Sequence, residues 1–484
     1  MSKIHYDVII IGLGPTGGVL ANLIAKHNIS VKILEKENKL YNLPRAVHFD
    51  DEVMRVFETI GITKTFRKHT IINKGTRFID ENNRLLLDWP RPKIITENGW
   101  YPSYRFHQPD LERNLRKRLS HFKKVSISQN SEVFMIKNKN DFVEVSYKNT
   151  RTKENHVLRS KYVVGCDGGR SFVRELFFSE MDNLGFEQKW AVLDVLLKRN
   201  KNKLPDRTIQ YCSQLRPATY CRNVGIRRRW EVALNGNKDE KEFFKEKNLW
   251  KFLSRWVSKE DIQIERKATY TFKSAIAKKW YKDRVFLAGD AAHLSPPFMG
   301  QGMCAGVRDA ANLAWKIAYC CRHQHNNKLL KSYQSERYSN VKEYINTTMK
   351  MGKLLNEIGD VNVSDTVKKS HNGSRTMSTI KPDLGPGLGS SNDPNRGKVF
   401  PNVKLNKINL DESYDKKLIL FSKKQFNKNT IKNVSGDEFK YLNEILLSFN
   451  SDALIVRPDR YILSSYAGDN IADFVDKVLS SVYN

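Results

Sequence analysis

Asp283-Arg284-Val285-Phe286-Leu287-Ala288-Gly289-Asp290-Ala291-Ala292-His293, continued by Pro296-Pro297 and Gly300-Gln301-Gly302-Met303, is the stretch from which the rest of the chain can be read. Residues 285–288 form a short apolar run of the kind that fills a strand covered on both faces, and Gly289-Asp290 ends it. A turn rich in proline and glycine follows, and residues 305–318 then have the composition of a helix. An acidic side chain at the end of the strand can accept from a sugar-alcohol hydroxyl, while small residues and prolines let the backbone approach a flat ring closely. Gly-Asp after a strand is also a common turn, so the reading needs support from elsewhere.

That support begins at the N-terminus. Tyr6-Asp7-Val8-Ile9-Ile10-Ile11 is a nearly continuous apolar run that leads straight into Gly12-Leu13-Gly14-Pro15-Thr16-Gly17. Gly12 permits the tight turn, Gly14 lets a pyrophosphate reach the backbone, and Gly17 allows the next helix to pack on the strand. Pro15 and Thr16 fall in the first turn of that helix, whose N-terminal amides face the phosphates. Val31-Lys32-Ile33-Leu34 is the second strand, and Glu35, followed by Lys36, ends it where a carboxylate can take both ribose hydroxyls. The spacing therefore predicts a dinucleotide-binding βαβ unit.

A third apolar strand closes in the same way: Lys161-Tyr162-Val163-Val164-Gly165-Cys166-Asp167-Gly168-Gly169-Arg170-Ser171. Together the three segments resemble the three-motif signature of the class A flavoprotein monooxygenases, the aromatic hydroxylases. Segments 43–55, 87–92 and 103–112, with Pro205-Asp206-Arg207-Thr208, Arg216-Pro217 and Arg227-Arg228-Arg229-Trp230-Glu231, look most like the subgroup acting on 3-(3-hydroxyphenyl)propionate and 3-hydroxycinnamate. The resemblance implies an α/β fold, α+β overall. It would comprise a Rossmann-like FAD-binding domain (1–75, 100–182, 276–365), an inserted, mostly antiparallel substrate sheet (76–99, 183–275), a linker (366–398) and a short thioredoxin-like C-terminal region (399–484). That last region contains no cysteine and so no thiol redox chemistry.

What the resemblance implies for the site is specific. Noncovalent FAD is the cofactor, with NAD(P)H a transient reductant, since only one nucleotide fingerprint is present. Reduced flavin and O2 give a C4a-hydroperoxide that hydroxylates a phenolic substrate. Asp290, after Gly289, takes the ribityl chain; Pro297 and the backbone at Gly300, Gln301, Gly302 and Met303 line the ring. Arg45 and Gln108 match family positions near the flavin and its pyrophosphate, and Asp167 belongs to the middle motif. Cys304 stands where most relatives have Asn. For proton removal and substrate anchoring the expectations are His48, Tyr211 and Arg216, with Tyr220 and Arg227 to Arg229 as competitors; His107 and His293 read as structural. Rival readings are a hydroxylase of a polycyclic or quinone-precursor phenol, of the ubiquinone-pathway or tetracycline-inactivating type, and a non-catalytic FAD-binding protein. A flavin halogenase would need a Trp-x-Trp-x-Ile-Pro segment, and a Baeyer-Villiger enzyme a second nucleotide motif.

Composition agrees. The chain has 484 residues, enough for two or three domains, and 83 basic against 53 acidic residues give a formal charge of +30. Such a field favours an acidic substrate, a reduced nicotinamide cofactor or an anionic membrane, but the charge is spread thinly and no recognition motif accompanies it, so no nucleic-acid role is expected. Six cysteines without metal-type spacing imply no metal site and reduced thiols. With no signal peptide or membrane-length apolar run, a cytoplasmic protein is expected, and a homodimer is compatible with everything above.

Overall fold

The strand Tyr6–Ile11 lies between Val31–Leu34 and Asn155–Gly165, parallel to both, and its last four residues are enclosed. Val125–Ser128 extends this sheet on one side and Val285–Leu287 on the other, again in parallel. The first half of Asn155–Gly165 also pairs antiparallel with Val143–Asn149, which in turn pairs with Ser131–Asn138. A parallel sheet must be covered on its faces. Helix Pro15–Lys26, packed against Gln108–Leu119 and Gly302–Arg322, contributes to that cover, joining Val19, Leu115 and Leu313 to Ile9, Val31, Val163 and Phe286 in one core. This computed structural model describes residues 4–199, 204–357, 367–369, 375–377, 380–405, 408–409, 417–426, 431–436 and 440–483.

Above this unit lies a ten-stranded sheet. Its order is His293–Leu294, Ile262–Ala277, Met181–Leu197, Arg227–Leu234, Ala218–Arg222, Thr208–Tyr211, Gly75–Ile79, Leu85–Pro90, Arg375–Met377 and Val367–Lys369. The pairings are antiparallel except at Thr208–Tyr211 with Gly75–Ile79 and at Leu85–Pro90 with Arg375–Met377. The last two strands come from the stretch read as a linker, where Ser, Gly and Asn outnumber the strand-forming residues and hide them. Side chains alternate between the two faces. Ala191, Leu193, Val195 and Leu197 point to the outer face, beneath helices Gly236–Phe243 and Glu246–Leu253. Trp190, Phe78, Leu87 and Ala233 point inward, onto Phe298 and Met299.

A three-stranded sheet, His48–Asp50, Ser103–Phe106 and Thr70–Ile72, forms the floor opposite. One of its faces sends Phe49, Tyr104 and Phe106 into an aromatic cluster with Phe57 and Phe66. The other carries His48, Asp50, Ser103 and Arg105.

The C-terminal strands run in the order Lys432–Ser435, Ile419–Ser422, Ala453–Val456, Ile462–Tyr466, the first pair parallel and the others antiparallel. Buried charge ties them to the rest. Glu336, on helix Asn327–Glu357, accepts from Arg457 Nη1 and Nη2 (2.8 and 2.9 Å) and from Lys316 Nζ (2.7 Å), all without solvent contact. Among the described residues no helix is long and apolar enough to cross a membrane.

Candidate active site

The fingerprint glycines divide into two kinds. A Cβ on Gly12 would lie 2.5 Å from the carbonyl oxygen of Cys166, and one on Gly17 would lie 2.1 Å from that of Gly12, so protein packing alone demands both. Gly14 has an ordinary φ of −75°, and a Cβ there would meet nothing within 4 Å. Its bareness serves whatever lies against the start of helix Pro15–Lys26, where unpaired amides and the helix dipole favour phosphate. Gly302, which opens helix Gly302–Arg322, and Gly168 border open space in the same way. Glu35 is fixed beside the turn by the amides of Leu13 (2.7 Å) and Glu37 (2.9 Å), and Lys36 is exposed. Thr16 turns to the protein instead: a Cβ on Gly289 or Gly306 would come 2.5 or 2.3 Å from its Oγ1, so this hydroxyl fills the close approach of two helices.

At the Gly-Asp motif, Asp309 accepts from the Gly289 amide (3.0 Å), His293 Nε2 (2.6 Å) and Arg337 Nε (2.8 Å). Burial pushes its pKa up, but His293 and Arg337 together outweigh burial and hold it at about 2. Asp290, the next residue, turns away from this network and keeps its side chain open to solvent. Protein nevertheless crowds it closely, and lost hydration raises its pKa above the usual carboxylate range, against the pull of His293 and Arg45. An exposed acceptor at the edge of an open cradle fits a polyol chain, as the bare amides fit a pyrophosphate. Asp167 is spent locally, accepting from Ser171 Oγ (2.5 Å) and the Val173 amide (3.1 Å) to shape the start of helix Phe172–Phe177.

The segment carrying Arg45 is held from two sides. Gln108 Oε1 accepts from the amides of Arg45 (3.1 Å) and Ala46 (2.7 Å), and its Nε2 donates to Glu112. From the roof, Arg229 donates to the carbonyls of Arg45 (2.8 Å) and Pro44 (2.5 Å), and Arg266 to that of Pro44 (2.7 Å). Asp194 joins the two guanidiniums, accepting from each Nε at 2.7 Å. The Arg45 guanidinium itself lies over the Tyr41 ring.

Across the cleft, Pro297 opens the turn that ends at Gly300, whose φ of 65° favours glycine and whose Cβ would lie 2.8 Å from His48 Nδ1. Gln301 is wedged between Arg308 Nη1 (3.2 Å) and Asp50 Oδ2 (3.3 Å). Met303 packs on the core, and Cys304 is buried with its thiol directed back to the Gly300 carbonyl.

Three expected catalytic positions are placed otherwise than the sequence suggested. His48 is buried, with Nε2 2.7 Å from Ser103 Oγ and Nδ1 3.4 Å from the Gly300 carbonyl. Burial, with Arg105 and Arg91 nearby, lowers its pKa to about 3, so it buttresses the ring-side turn and is a poor proton acceptor at neutral pH. Tyr211 points to the outer face, accepting from Trp256 Nε1 at 2.8 Å, and Tyr220 points the same way, donating to the Pro205 carbonyl. Arg216 pairs with Asp239 at 2.7 Å and lies over the Phe243 ring beneath the outer helices. Strand alternation separates two faces but does not say which is inward, and here both are covered by apolar residues. His107 pairs with Asp110 at 3.2 Å, and Arg228 donates to the Gly225 and Arg227 carbonyls.

The inward face carries groups that the sequence reading passed over. Opposite parity to Tyr211, Tyr220 and Trp230 puts Gln210, Thr219 and Glu231 there, and register pairs them in a row, Gln210 with Thr219 and Thr219 with Glu231. Thr219 Oγ1 donates to Gln210 Oε1. Burial raises the pKa of Glu231, partly offset by Arg229 at 3.5 Å. Arg91, its guanidinium 4.0 Å from the centre of the Trp89 ring, is buried, and its pKa is lowered to about 10, first by burial. Arg105 reaches from the floor to Thr208 on the roof.

The geometry agrees with comparisons to known proteins. Over 354 residues the chain is 35% identical to a probable NADH-specific resorcinol 4-hydroxylase of Rhodococcus jostii (strain RHA1), covering 72% of this chain and 65% of that protein. It is 33% identical over 352 residues to a 3-(3-hydroxy-phenyl)propionate/3-hydroxycinnamic acid hydroxylase of Burkholderia cenocepacia (strain HI2424), covering 72% and 64%. The matched part is thus less than two thirds of these relatives' length. Among solved structures, aklavinone-11 hydroxylase in complex with FAD and aklavinone shares the fold with a TM-score of 0.81 at 18% identity, over 100% of this chain and 99% of that one. The rebeccamycin biosynthetic enzyme RebC with reduced flavin gives 0.79 at 18% identity, over 100% of both chains. The family described as "FAD binding domain" matches residues 5–348, the span that holds the glycine cradle, the Arg45 segment and the Gly-Asp motif, so the cofactor is FAD and the chain belongs to the FAD-binding-domain family.

Proposed function

We propose that the protein is an NAD(P)H- and FAD-dependent monooxygenase that hydroxylates a single-ring phenol carrying a second substituent meta to its hydroxyl. The observation that carries this reading is the layer of enclosed side chains between the cofactor cradle and the roof sheet: an apolar wall of Phe78, Leu87, Trp89, Trp190, Phe298 and Met299 beside the polar row Gln210, Thr219 and Glu231. FAD, when bound, supplies electron transfer from the nicotinamide and the activation of O2. The wall excludes water from the reacting centre. The polar row suits a phenolic hydroxyl, and Glu231, a carboxylate of raised pKa, is suited to take its proton, leaving a more electron-rich ring. The two relatives named above act, by their names, on rings with a hydroxyl meta to a second substituent. Six buried cysteines with free thiols fit a reducing, cytoplasmic setting.

The test is oxidation of NADH and NADPH by the FAD-loaded protein with resorcinol or 3-(3-hydroxyphenyl)propionate, with mass analysis of the products. Stimulated oxidation and a product heavier by one oxygen are expected. Oxidation unchanged by either phenol, with no oxygenated product, would refute the reading.

A further inference from the structure

Arg105 presents a problem of charge. Its side chain is 95% buried, yet its one hydrogen-bond partner among the described residues is the neutral hydroxyl of Thr208, and its Nε has none. No carboxylate pairs with it among the described residues. Glu231, which faces it from the roof, is engaged by Arg229 at 3.5 Å, and Asp50, across the floor strands, is taken by Arg308 at 2.6 Å. Buried cations are ordinarily paired, because an unpaired charge out of water costs several kcal/mol. The surrounding charge compensates only in part: Glu231 favours the charged form of Arg105 while Arg222 opposes it, and Arg91, which itself feels Asp50 and Asp51, adds positive potential; burial is the first cause lowering the pKa values of Arg105, Arg91 and His48.

Its location gives the imbalance a use. Arg105 shares a strand face with Ser103 and lies in register with His48, which touches the Gly300 turn, while its guanidinium meets Thr208 on the inward face of the roof. It therefore spans the space between floor and roof next to the ring-side turn. We propose that Arg105 is the substrate-anion residue of this site, its guanidinium pairing with an oxyanion borne by the aromatic substrate, either a side-chain carboxylate or the phenolate itself. The proposal rests on the hydroxylase reading and replaces Arg216 in the role of anchor. A planar guanidinium offers two parallel donors to a carboxylate, and a single oxyanion can share the same fork.

The experiment uses the FAD-loaded protein and two probes, 3-(3-hydroxyphenyl)propionate, which carries a carboxylate, and resorcinol, which does not. Each is titrated against the flavin absorption spectrum in the wild type, Arg105→Lys and Arg105→Gln. If the anion is the carboxylate, Arg105→Gln weakens the acid by about tenfold or more, the low end for a charged hydrogen bond, Arg105→Lys recovers part of the loss, and resorcinol is little changed. If the anion is the phenolate, both probes weaken together and the pH needed for tight binding rises. Unchanged affinity for both probes in Arg105→Gln overturns the assignment. A second readout does not depend on substrate identity. A cation kept at a cost to stability predicts that Arg105→Gln raises the Tm of the substrate-free protein, whereas a structural cation predicts a fall, and a fall overturns the proposal. Wild-type protein that oxidises nicotinamide with no phenol would count against the hydroxylase reading alone, since the Tm comparison stands without it.

Discussion

Replacing Gly14 and Gly17 one at a time by alanine separates what the protein needs from what the cofactor needs. At Gly14 the added methyl meets no protein atom within 4 Å and φ is already ordinary. The protein loses only a glycine N-cap for an alanine one, about 1 kcal/mol or less. The methyl projects instead into open space at the start of the helix, where the pyrophosphate of FAD would lie. Loss of the close backbone approach, worth about 1.5 kcal/mol or more for hydrogen bonds to a charged group, should weaken FAD by tenfold or more. At Gly17 the methyl sits 2.1 Å from the Gly12 carbonyl, more than an ångström inside ordinary contact, and neither backbone can move without breaking the strand-turn-helix unit. Overpacking of this kind costs about 3 kcal/mol, the upper part of its usual range. The assay is thermal unfolding of the flavin-free proteins, with FAD titrated by fluorescence quenching. Gly14→Ala should unfold near the wild type yet bind FAD poorly; Gly17→Ala should be destabilised before any cofactor is added. Wild-type FAD affinity in Gly14→Ala, or equal Tm values for the two variants, would refute the division.

Glu336→Gln should cost about 3–5 kcal/mol, because it leaves Lys316 uncompensated in the interior, and pairing it with Lys316→Met should recover much of the loss in denaturant titrations. Glu336 and Asp309 both have folded pKa values depressed to about 2 by their cations, so their contribution, about 2–3 kcal/mol each, is present above the ordinary carboxylate pKa. It should fade as pH falls from about 4.5 towards 2, visible as a steep drop in Tm over that window; a flat Tm there would deny the assignment. Asp194→Asn removes the acceptor shared by Arg229 and Arg266 and should lower FAD affinity measurably, with the Asp194→Glu variant restoring little because the fork geometry is lost. Arg216→Ala, on the outer face, should leave the Kd for any phenolic substrate within about twofold, and a large loss would reinstate it as an anchor.

The parts of the fold legible in the sequence are those where one residue type at one spacing has a single physical use. Gly12, Gly17 and Glu35 belong to this class: a turn, a helix contact and a strand end fix their separations, and the folded chain keeps them together. The Gly-Asp motif is a common turn when it stands alone and becomes legible only beside the other two motifs. The roof was harder. Tyr211 ends one roof strand and Arg216 lies in the connection to the next; inward and outward positions on such strands differ by one residue, and helices over the outer face make its composition as apolar as the inner. Arg105 was invisible for another reason. Its significance is the absence of a carboxylate partner among the described residues, and a missing ion pair leaves no trace in spacing. Residues 367–369 and 375–377 were hidden by Ser- and Gly-rich neighbours, since a two-strand edge pairing needs only a few extended residues.

The grip on Pro44 and Arg45 bears on how such a chain could acquire new substrates. Carbonyls pulled towards Arg229 and Arg266, and amides pulled towards Gln108, make this short peptide a shared link between the roof sheet and helix Gln108–Leu119. Any re-spacing of the roof at Asp194 or Arg229 therefore shifts the Pro44-Arg45 segment, which the family resemblance sets near the flavin. The strands further from that junction, Thr208–Tyr211, Gly75–Ile79 and Leu85–Pro90, meet the site through apolar contacts with Phe298 and Met299 and through Thr208 instead. Lengthening, bulging or re-facing them would reshape the cavity with the grip on Pro44 and Arg45 intact, which makes that half of the roof the place to graft or evolve a different specificity.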